Sequence, residues 1–147
     1  MNFKTHNDKE INVNGTSFQG EITATFEKLL KVFGTPLGAS SDNKVDVEWN
    51  LEVGDVIATI YNWKNGVAHM GSDGTNPVDI TRWHIGGKSK GAVWTIEEIL
   101  ESFWFFEIFS QIFNFTEGDF GEVFRIIFYA WLFIKILVEY VYWEWEI

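Results

Sequence analysis

The stretch VDVEWNLEVGDVIATIYNW, residues 45–63, decides the fold of this 147-residue chain. From position 45 to position 53, apolar residues alternate with polar ones, which is the period of a strand with one buried and one wet face. Gly54-Asp55 fits a two-residue hairpin turn with glycine in the first central position. We therefore predict a strand over 45–53, a tight turn, and a returning antiparallel strand over 56–63.

The residues around this hairpin predict one helix and two further strands. Apolar positions from Ile22 to Phe33 recur at helical spacing, and Gly34 with Pro36 ends the pattern, so a helix is expected over about 23–33. Turn-forming residues fill 71–77, before a third strand over 78–85. A short edge strand is expected over 10–13. The predicted fold class is α+β: a mostly antiparallel sheet with one packed helix, followed by a C-terminal aromatic helical hairpin.

The composition changes near 91–95, where Phe, Trp, Tyr, Ile and Glu begin to dominate. Thr95 and Glu98 fit a capping box, which predicts a helix over about 96–115. After a break at Glu117-Gly118, a second helix is expected to reach about residue 145, antiparallel to the first. We interpret 1–93 as a sheet-plus-helix unit and 94–147 as a helical hairpin, within one compact domain overall.

The two C-terminal helices are apolar on nearly all sides and must be covered on nearly all sides. The protein's own sheet can cover one face of each helix. A membrane span is a poor alternative because Arg125 and Lys135 bound a short uncharged run, whereas a span needs about 20 apolar residues. Self-association through 94–147 is the favoured interpretation, and we expect a homo-oligomer.

The charge distribution narrows the class of partner. The formal net charge is −10, of which residues 1–93 contribute −2 and residues 94–147 contribute −8. An acidic surface repels phosphate backbones, so general nucleic-acid binding is disfavoured. Cysteine is absent and the first residues form no apolar leader, so we expect a cytoplasmic protein.

No catalytic constellation is visible in the sequence. The three histidines, His6, His69 and His84, are scattered, and no metal-binding motif occurs. Asp46 and Glu48 share a strand face, where alternating carboxylates more often form a solvated surface than an acid–base pair. Hydrolase chemistry lacks a nucleophile in a recognisable context. We expect a binding protein rather than an enzyme, without cofactor or metal.

The stretch RWHIGGKSK, residues 82–90, suggests a site for an anionic ligand. A strand that passes through two glycines towards a helix start presents backbone N–H groups to an anion, and basic residues lie nearby. Aromatic residues in and before this stretch offer stacking faces for a base. The alternative is that the glycines turn the chain, Trp83 and Trp63 are core, and the lysines are solvated. The residues that this hypothesis places at the site are Tyr61, Trp63, Arg82, Trp83, His84, Gly86, Gly87 and Lys88.

A second stretch, NGTSFQG at residues 14–20, leads towards the first predicted helix. Its small and amide side chains, Ser17 and Gln19 among them, are suited to hydrogen-bond a ligand. The same residues also fit a simple loop and helix entrance. Both interpretations remain open from the sequence.

A resemblance to a known family rests on five motifs in order. They are NGTSFQG at 14–20, KVFGTP at 31–36, VEWNL at 47–51, TIYNWKNG at 59–66 and WHIGG at 83–87. Over about residues 10–93 the chain resembles small phage- and prophage-encoded anti-defence proteins, most of all the Thoeris anti-defence proteins. The resemblance implies an oligomeric sponge that sequesters a cyclic ADP-ribose-type immune signal without cleaving it.

Two functions from different classes therefore remain. The first is sequestration of a nucleotide signal by the aromatic and basic residues. The second is a protein-binding inhibitor of a host defence effector, similar to an anti-CRISPR protein, in which the acidic surface makes direct contact. A membrane-associated protein and an enzyme are the third and fourth possibilities.

Overall fold

The computed structural model describes residues 2–113 and 130–131. Its centre is a five-stranded sheet with the strand order β1-β3-β4-β5-β2. Every pair of neighbouring strands is antiparallel. The strands are β1 (Lys4–Thr5), β2 (Ser17–Thr23), β3 (Glu48–Val53), β4 (Val56–Tyr61) and β5 (Arg82–Gly87). Together with the helices described next, this sheet confirms the predicted α+β class.

Three α-helices accompany the sheet in the described part of the chain. They are α1 (Phe26–Phe33), α2 (Val67–Met70) and α3 (Gly91–Phe113), and two short 3₁₀ turns, Gly71–Asp73 and Pro77–Asp79, precede β5. The Thr25 side chain accepts a hydrogen bond from the Lys28 N–H at the start of α1, and Gly34 ends the helix with φ +78°. A hydroxyl N-cap and a glycine at the C-terminal end are the usual limits of such a helix.

The predicted hairpin is present, with a register that runs from Glu48 opposite Tyr61 to Val53 opposite Val56. Its turn is at Gly54, where φ is +57°. The first strand begins at residue 48 instead of 45. Residues 45–47 lie outside the ladder because a side chain, that of Asn62, accepts hydrogen bonds from the Asp46 and Val47 N–H groups.

Several predicted boundaries are wrong. Residues 17–23 form β2, where we expected a loop and the start of the first helix. The edge strand is β1, and 10–13 is not a strand. The third strand begins at Arg82 because Pro77–Asp79 forms a 3₁₀ turn, capped by the Asn76 side chain.

The last helix of the described region also begins earlier than predicted. Helix α3 begins at Gly91, so Thr95 lies inside the helix and the predicted capping box does not start it. The helix continues across the predicted boundary at residue 93. The predicted second helix of the C-terminal hairpin falls outside the described residues, apart from residues 130 and 131, which are helical.

One face of the sheet forms the hydrophobic core together with α1 and the first part of α3. The strands contribute Ile22, Trp49, Leu51, Val53, Ala58, Ile60, Trp83 and Ile85; the helices contribute Leu29, Phe33, Ala92, Ile96, Ile99 and Leu100. The indoles of Trp49 and Trp83 meet edge to face at the centre, with ring centroids 5.6 Å apart. The core thus fixes which face of every strand is apolar, because side chains alternate along a strand.

The opposite face of the sheet is polar. We use the name polar face for the side that carries Glu48 and Asn50 of β3, Thr59 and Tyr61 of β4, Arg82, His84 and Gly86 of β5, and Phe18 and Glu21 of β2. The registers of the three ladders bring all of these residues except Arg82 into two cross-strand rows. The candidate site described below lies on this face.

The chain divides into two compact units, Met1–Trp104 and Phe105–Ile147. The first unit contains the sheet, α1, α2 and most of α3. In the second unit, the rings of Phe105 and Trp131 are in contact, with centroids 5.2 Å apart. Across residues 2–113 and 130–131, no helix combines the length and the apolar character needed to cross a membrane.

Candidate functional site

A row of four side chains crosses the polar face of the sheet. Glu48 on β3 lies opposite Tyr61 on β4, Tyr61 opposite His84 on β5, and His84 opposite Glu21 on β2. Because directly opposed residues in an antiparallel ladder point to the same face, all four share one surface. The row therefore places two aromatic rings between two carboxyl groups.

Aromatic contacts extend this row into a continuous strip. The rings of Tyr61 and His84 are stacked, with centroids 5.7 Å apart and an interplanar angle of 21°. Phe18 packs on His84 at 5.1 Å, and Trp63 meets Tyr61 edge to face at 6.2 Å. We call Trp63, Tyr61, His84 and Phe18 the aromatic strip. Phe18 is 55% exposed and Trp63 is 41% exposed, so both ends of the strip are accessible.

The ionisable groups of the row differ in the charged and polar groups that lie beside them. Glu21 forms an ion pair with Arg82 and lies 3.3 Å from Nε2 of His84. Burial lowers the pKa of His84, although Glu21 acts in the opposite direction. Nε2 of His84 is therefore positioned to donate to Glu21. The other ring nitrogen, Nδ1, is buried and has no hydrogen-bond partner.

At the other end of the row, burial raises the pKa of the Glu48 carboxyl, and His6 partly offsets this effect. Burial, followed by the charge of Glu48, also raises the pKa of Tyr61. Both shifts have the same main physical cause, because burial removes hydration from the charged oxygen.

A second row lies directly beside the first. Asn50 on β3 is opposite Thr59 on β4, which is opposite Gly86 on β5. Asn50 and Thr59 are buried, and the Oδ1 atom of Asn50 has no hydrogen-bond partner. A β-carbon at Gly86 would lie 2.3 Å from the Thr59 hydroxyl oxygen and 3.4 Å from the Tyr61 ring. Glycine is therefore required for Thr59 and Tyr61 to pack against β5 at this point.

Two lysines flank the Trp63 end of the aromatic strip. The Nζ atoms of Lys44 and Lys64 lie 5.7 and 5.4 Å from the centroid of the Trp63 ring. Lys44 also pairs with Asp42 at 2.7 Å, and hydrogen bonds from Lys44 and Ser40 lower the pKa of Asp42 to about 2. The end of the strip at Trp63 is thus the cationic end.

A buried polar network fixes the segment that carries Trp63. Asn62 is fully buried; its Oδ1 accepts from the Asp46 and Val47 N–H groups, and its Nδ2 donates to Asp46 at 2.7 Å. The second Asp46 oxygen accepts from the Ala68 N–H at 2.8 Å. Asp46, which the sequence placed on a solvated strand face, instead anchors the start of α2.

The predicted site residues on β5 are divided between the two faces of the sheet. Arg82, His84 and Gly86 lie on the polar face, whereas Trp83 and Gly87 lie on the core side. Trp83 is fully buried and donates its indole N–H to the Ala24 carbonyl at 2.9 Å, so it offers no ring face to a ligand. A β-carbon at Gly87 would meet Ala92 of α3 at 2.4 Å, which explains the glycine by helix packing.

The predicted cluster of basic residues is not brought together. Arg82 and Lys88 stand six residues apart along β5 and the following turn, a separation of about 20 Å in an extended chain. Lys88 belongs to the three-residue connection between β5 and α3. Arg82 lies at the opposite end of β5, beyond the stacked pair of Tyr61 and His84.

The two residues predicted from the NGTSFQG stretch lie at the β5 end that is remote from Trp63. Ser17 is opposite Gly87 in the ladder, and Gln19 occupies an irregularity in the register between Phe18 and Gly20. The Gln19 amide donates to the Ser17 hydroxyl at 3.0 Å and to the Gly87 carbonyl at 2.9 Å. These bonds tie the bulge to β5 and occupy the amide's donors.

Several residues of the polar face were missed from the sequence: Phe18, Glu21, Asn50 and Thr59, with Lys44 and Lys64 beside Trp63. Asn50 and Thr59 were accessible to inference, because the predicted hairpin turn fixes their register. Phe18 and Glu21 were not, because β2 was not recognised. In the described residues, no three His, Asp or Glu side chains are close enough together to hold a metal ion.

Comparison with known proteins gives no relative whose site residues could be carried over to this chain. No protein-family model, curated protein or solved structure matches the chain. The interpretation of the polar face therefore depends on its own chemistry.

Proposed function

We propose that the protein binds a nucleotide on the polar face of its sheet and holds it without cleaving it. The observation that carries this proposal is the aromatic strip, in which stacked Tyr61 and His84 rings continue to accessible Trp63 and Phe18 rings. Aromatic side chains on a sheet surface stack with nucleobases, at about 1–3 kcal/mol per base.

The phosphate groups of this nucleotide bind at the Trp63 end. Lys44 and Lys64 already contact the Trp63 ring there. Arg82 lies at the same end of β5. Its guanidinium group is paired with Glu21, so it would bind a phosphate either together with Glu21 or after this ion pair breaks. Ammonium and guanidinium groups beside a stacking ring supply the charge and the base platform in one place.

The proposed biological role is that of a sponge for an immune signal. The five motifs that resemble Thoeris anti-defence proteins support a cyclic ADP-ribose-type ligand and a phage-encoded protein acting in the host cytoplasm. We include in this proposal a homo-oligomer formed through residues 94–147. Turnover of the ligand is not part of the proposed function.

The test is native mass spectrometry of the full chain with a panel of cyclic nucleotides that includes cyclic ADP-ribose isomers. We expect the ligand mass to be gained and, after denaturation, the ligand to be recovered intact. Trp63→Ala should weaken binding roughly tenfold. Met70→Ala is the matched control, because Met70 is similarly exposed (50%) in the same segment and lies outside the strip.

A second candidate function, direct inhibition of a host protein, is supported by another observation. Val67, Met70 and Val78 expose apolar side chains between β4 and β5, with exposed fractions of 45%, 50% and 62%. Exposed apolar side chains suit a protein interface. Loss of anti-defence activity in Met70→Ala, with activity retained in Trp63→Ala and no nucleotide bound, would replace the sponge with this function.

A further inference from the structure

Two Asn-Gly pairs occur in the sequence, Asn14-Gly15 and Asn65-Gly66. Asparagine followed by glycine is open to an intramolecular reaction, because glycine has no side chain to shield its backbone nitrogen from the amide of the preceding residue. The reaction also requires the main chain between the two residues to rotate, so that this nitrogen faces the Cγ atom of the asparagine. How firmly the fold holds each pair therefore decides whether the pair reacts.

The first pair lies in an exposed turn that precedes β2. The turn is closed by a hydrogen bond from the Thr16 N–H to the Val13 carbonyl at 3.1 Å, and Gly15 has φ at +79°. A β-carbon at Gly15 would have no atom within 4 Å. Both residues of the pair are exposed, and in the described part of the chain neither the Asn14 side-chain amide nor the Gly15 N–H is hydrogen-bonded. Water therefore reaches both reacting groups, and only the bond of the turn opposes the rotation.

The second pair is held by the buried polar network beside α2. The Asn65 Oδ1 atom accepts from the Asn62 Nδ2 atom at 3.0 Å, and the Asn65 carbonyl accepts from the Thr75 N–H at 2.8 Å. Gly66 is buried, and a β-carbon there would overlap the Asp46 carboxylate. Rotation of the main chain between Asn65 and Gly66 would break the bond to Thr75 and move a tightly packed residue. This pair can thus react only after local opening of the structure.

We propose that Asn14 is a modification site, at which the side-chain amide is lost spontaneously and the turn gains a carboxylate. The Gly15 backbone nitrogen gives up its proton to the solvent and attacks Cγ of Asn14. A C–N bond forms, the side-chain nitrogen leaves as ammonia, and a succinimide ring results. Water then opens the ring at either carbonyl carbon, which gives aspartate or isoaspartate without any change in oxidation state.

The products alter the turn that leads into β2. Aspartate adds a negative charge, and isoaspartate also lengthens the main chain by a carbon atom within the turn closed by Val13 and Thr16. The turn ends directly before Ser17, the first residue of β2. This inference goes beyond the proposed function and is independent of the ligand, because neither Asn14 nor Gly15 belongs to the aromatic strip or to the lysines beside it.

The experiment follows both pairs in one sample of the folded full chain, incubated in mildly alkaline buffer. Peptide mapping by mass spectrometry, with enzymatic methylation of isoaspartate, measures the conversion of each asparagine over time. We expect Asn14 to be converted, with isoaspartate among the products. Asn65 should react at least roughly tenfold more slowly, because its hydrogen bonds must open first. In urea the two rates should agree within about threefold, since the fold no longer distinguishes the pairs.

Asn14→Gln is the matched variant, because it keeps a side-chain amide whose longer chain closes the ring far more slowly. It should abolish conversion at position 14 and leave the rate at Asn65 unchanged. An Asn14 that stays intact in the folded chain but reacts in urea would overturn the proposal, as would equal rates at the two pairs in the folded chain. Isoaspartate that persists in the same peptide of Asn14→Gln would assign the modification to another residue. Nucleotide binding has no bearing on these results, so they leave the proposed function to its own test.

Discussion

Lys64 has a left-handed backbone conformation, with φ at +58°, immediately after Trp63 in the chain. A residue with a β-carbon pays roughly 1 kcal/mol for this conformation, whereas asparagine tolerates it well. The ammonium group of the same residue lies 5.4 Å from the centroid of the Trp63 ring. Such strain often accompanies a functional residue.

Lys64→Asn should therefore separate stability from binding. We expect the free energy of unfolding to be unchanged or raised by about 0.5 kcal/mol, because the strain is relieved. Nucleotide affinity should fall roughly three- to tenfold, because a phosphate partner is lost. Urea unfolding and calorimetric titration measure the two quantities. Lys88→Asn is the control at the far end of β5; a larger loss of affinity in this variant would move the phosphate to the β5–α3 connection.

The Asn62 side chain satisfies four polar groups at once in a fully buried position. Asn62→Ala would remove the acceptor of two backbone N–H groups and the donor to one oxygen of the Asp46 carboxylate. We expect a loss of about 2–4 kcal/mol in the free energy of unfolding, measured by urea denaturation. Asn14→Ala, at an exposed position, should change it by less than about 0.5 kcal/mol. A similar effect of the two substitutions would contradict the structural role of the network.

His84 gives the protein a pH-dependent stability of predictable sign. Its pKa in the folded protein is below 6.5, mainly because of burial, so the unfolded chain binds the proton more readily. The stability contributed by neutral His84 is thus present above pH 6.5 and is lost as the pH falls through this value. Glu48 acts oppositely, because its raised pKa makes stability fall as the pH rises above 4.5.

The comparison of His84→Gln with the wild-type protein isolates the histidine. Urea denaturation at a series of pH values between 7.5 and 5.5 should give a shallower loss of stability in the variant. His69→Gln, at an exposed position of α2, serves as the control and should follow the wild-type curve. A variant curve parallel to that of the wild-type protein would mean that His84 does not carry this dependence.

At the scale of elements, helix α1 is attached to the sheet at both ends by core tryptophans. Trp83 donates its indole N–H to the Ala24 carbonyl before the helix, and Trp49 donates to the Gly34 carbonyl after it. Both indoles also contact Phe26. Trp83 therefore positions an element of the core, which is the role that the sequence left as the alternative to ligand stacking.

Trp83→Phe should consequently affect stability and not recognition. Loss of the indole N–H and of buried volume predicts a decrease of about 2–3 kcal/mol in the free energy of unfolding, measured by urea denaturation. Nucleotide affinity, measured where the variant is fully folded, should remain within about twofold of wild type. Trp63→Phe is the reverse case, with stability retained and affinity lowered. A loss of affinity confined to Trp83→Phe would place the ligand on the core side of β5.

The elements that the sequence predicted correctly are those specified by local patterns. The β3–β4 hairpin follows from strict alternation and a Gly54 turn, and the end of α1 follows from Gly34. Strand β2 was missed because its alternation is interrupted at Gln19, where the register shifts, and because Gly20 leaves a core-side position without an apolar side chain. Only pairing with β5 defines this strand, and pairing is a long-range property.

At the scale of the whole molecule, the candidate site depends on the sheet order. Strands β3, β4, β5 and β2 are consecutive neighbours in the sheet. In the sequence, however, more than twenty residues separate β2 from β3, and twenty residues separate β4 from β5. The sequence identified Tyr61, Arg82 and His84 as candidates by their chemistry. It could not place Glu48, Asn50 and the ring pair on one surface, because the order of strands in a sheet is not encoded locally.

The charge pattern also provides a test of the predicted self-association of the protein. Residues 94–147 carry a formal charge of −8, so copies that meet through this region repel each other electrostatically. If apolar surface drives association, salt should strengthen it, because the Debye length falls from about 30 Å at 0.01 M to about 8 Å at 0.15 M. We expect sedimentation velocity of the full chain to show an oligomer whose population rises with salt concentration.

Trp94 on α3 is the described residue on which this expectation can be tested most directly. Its side chain is 67% exposed within the single chain, an unusual exposure for an indole. Trp94→Glu would place a charge in an apolar interface and should shift the sedimentation profile towards the monomer. Val78→Glu is the control, because Val78 is 62% exposed and lies outside residues 94–147. A monomeric wild-type protein at every salt concentration, or dissociation by Val78→Glu instead, would contradict assembly through this region.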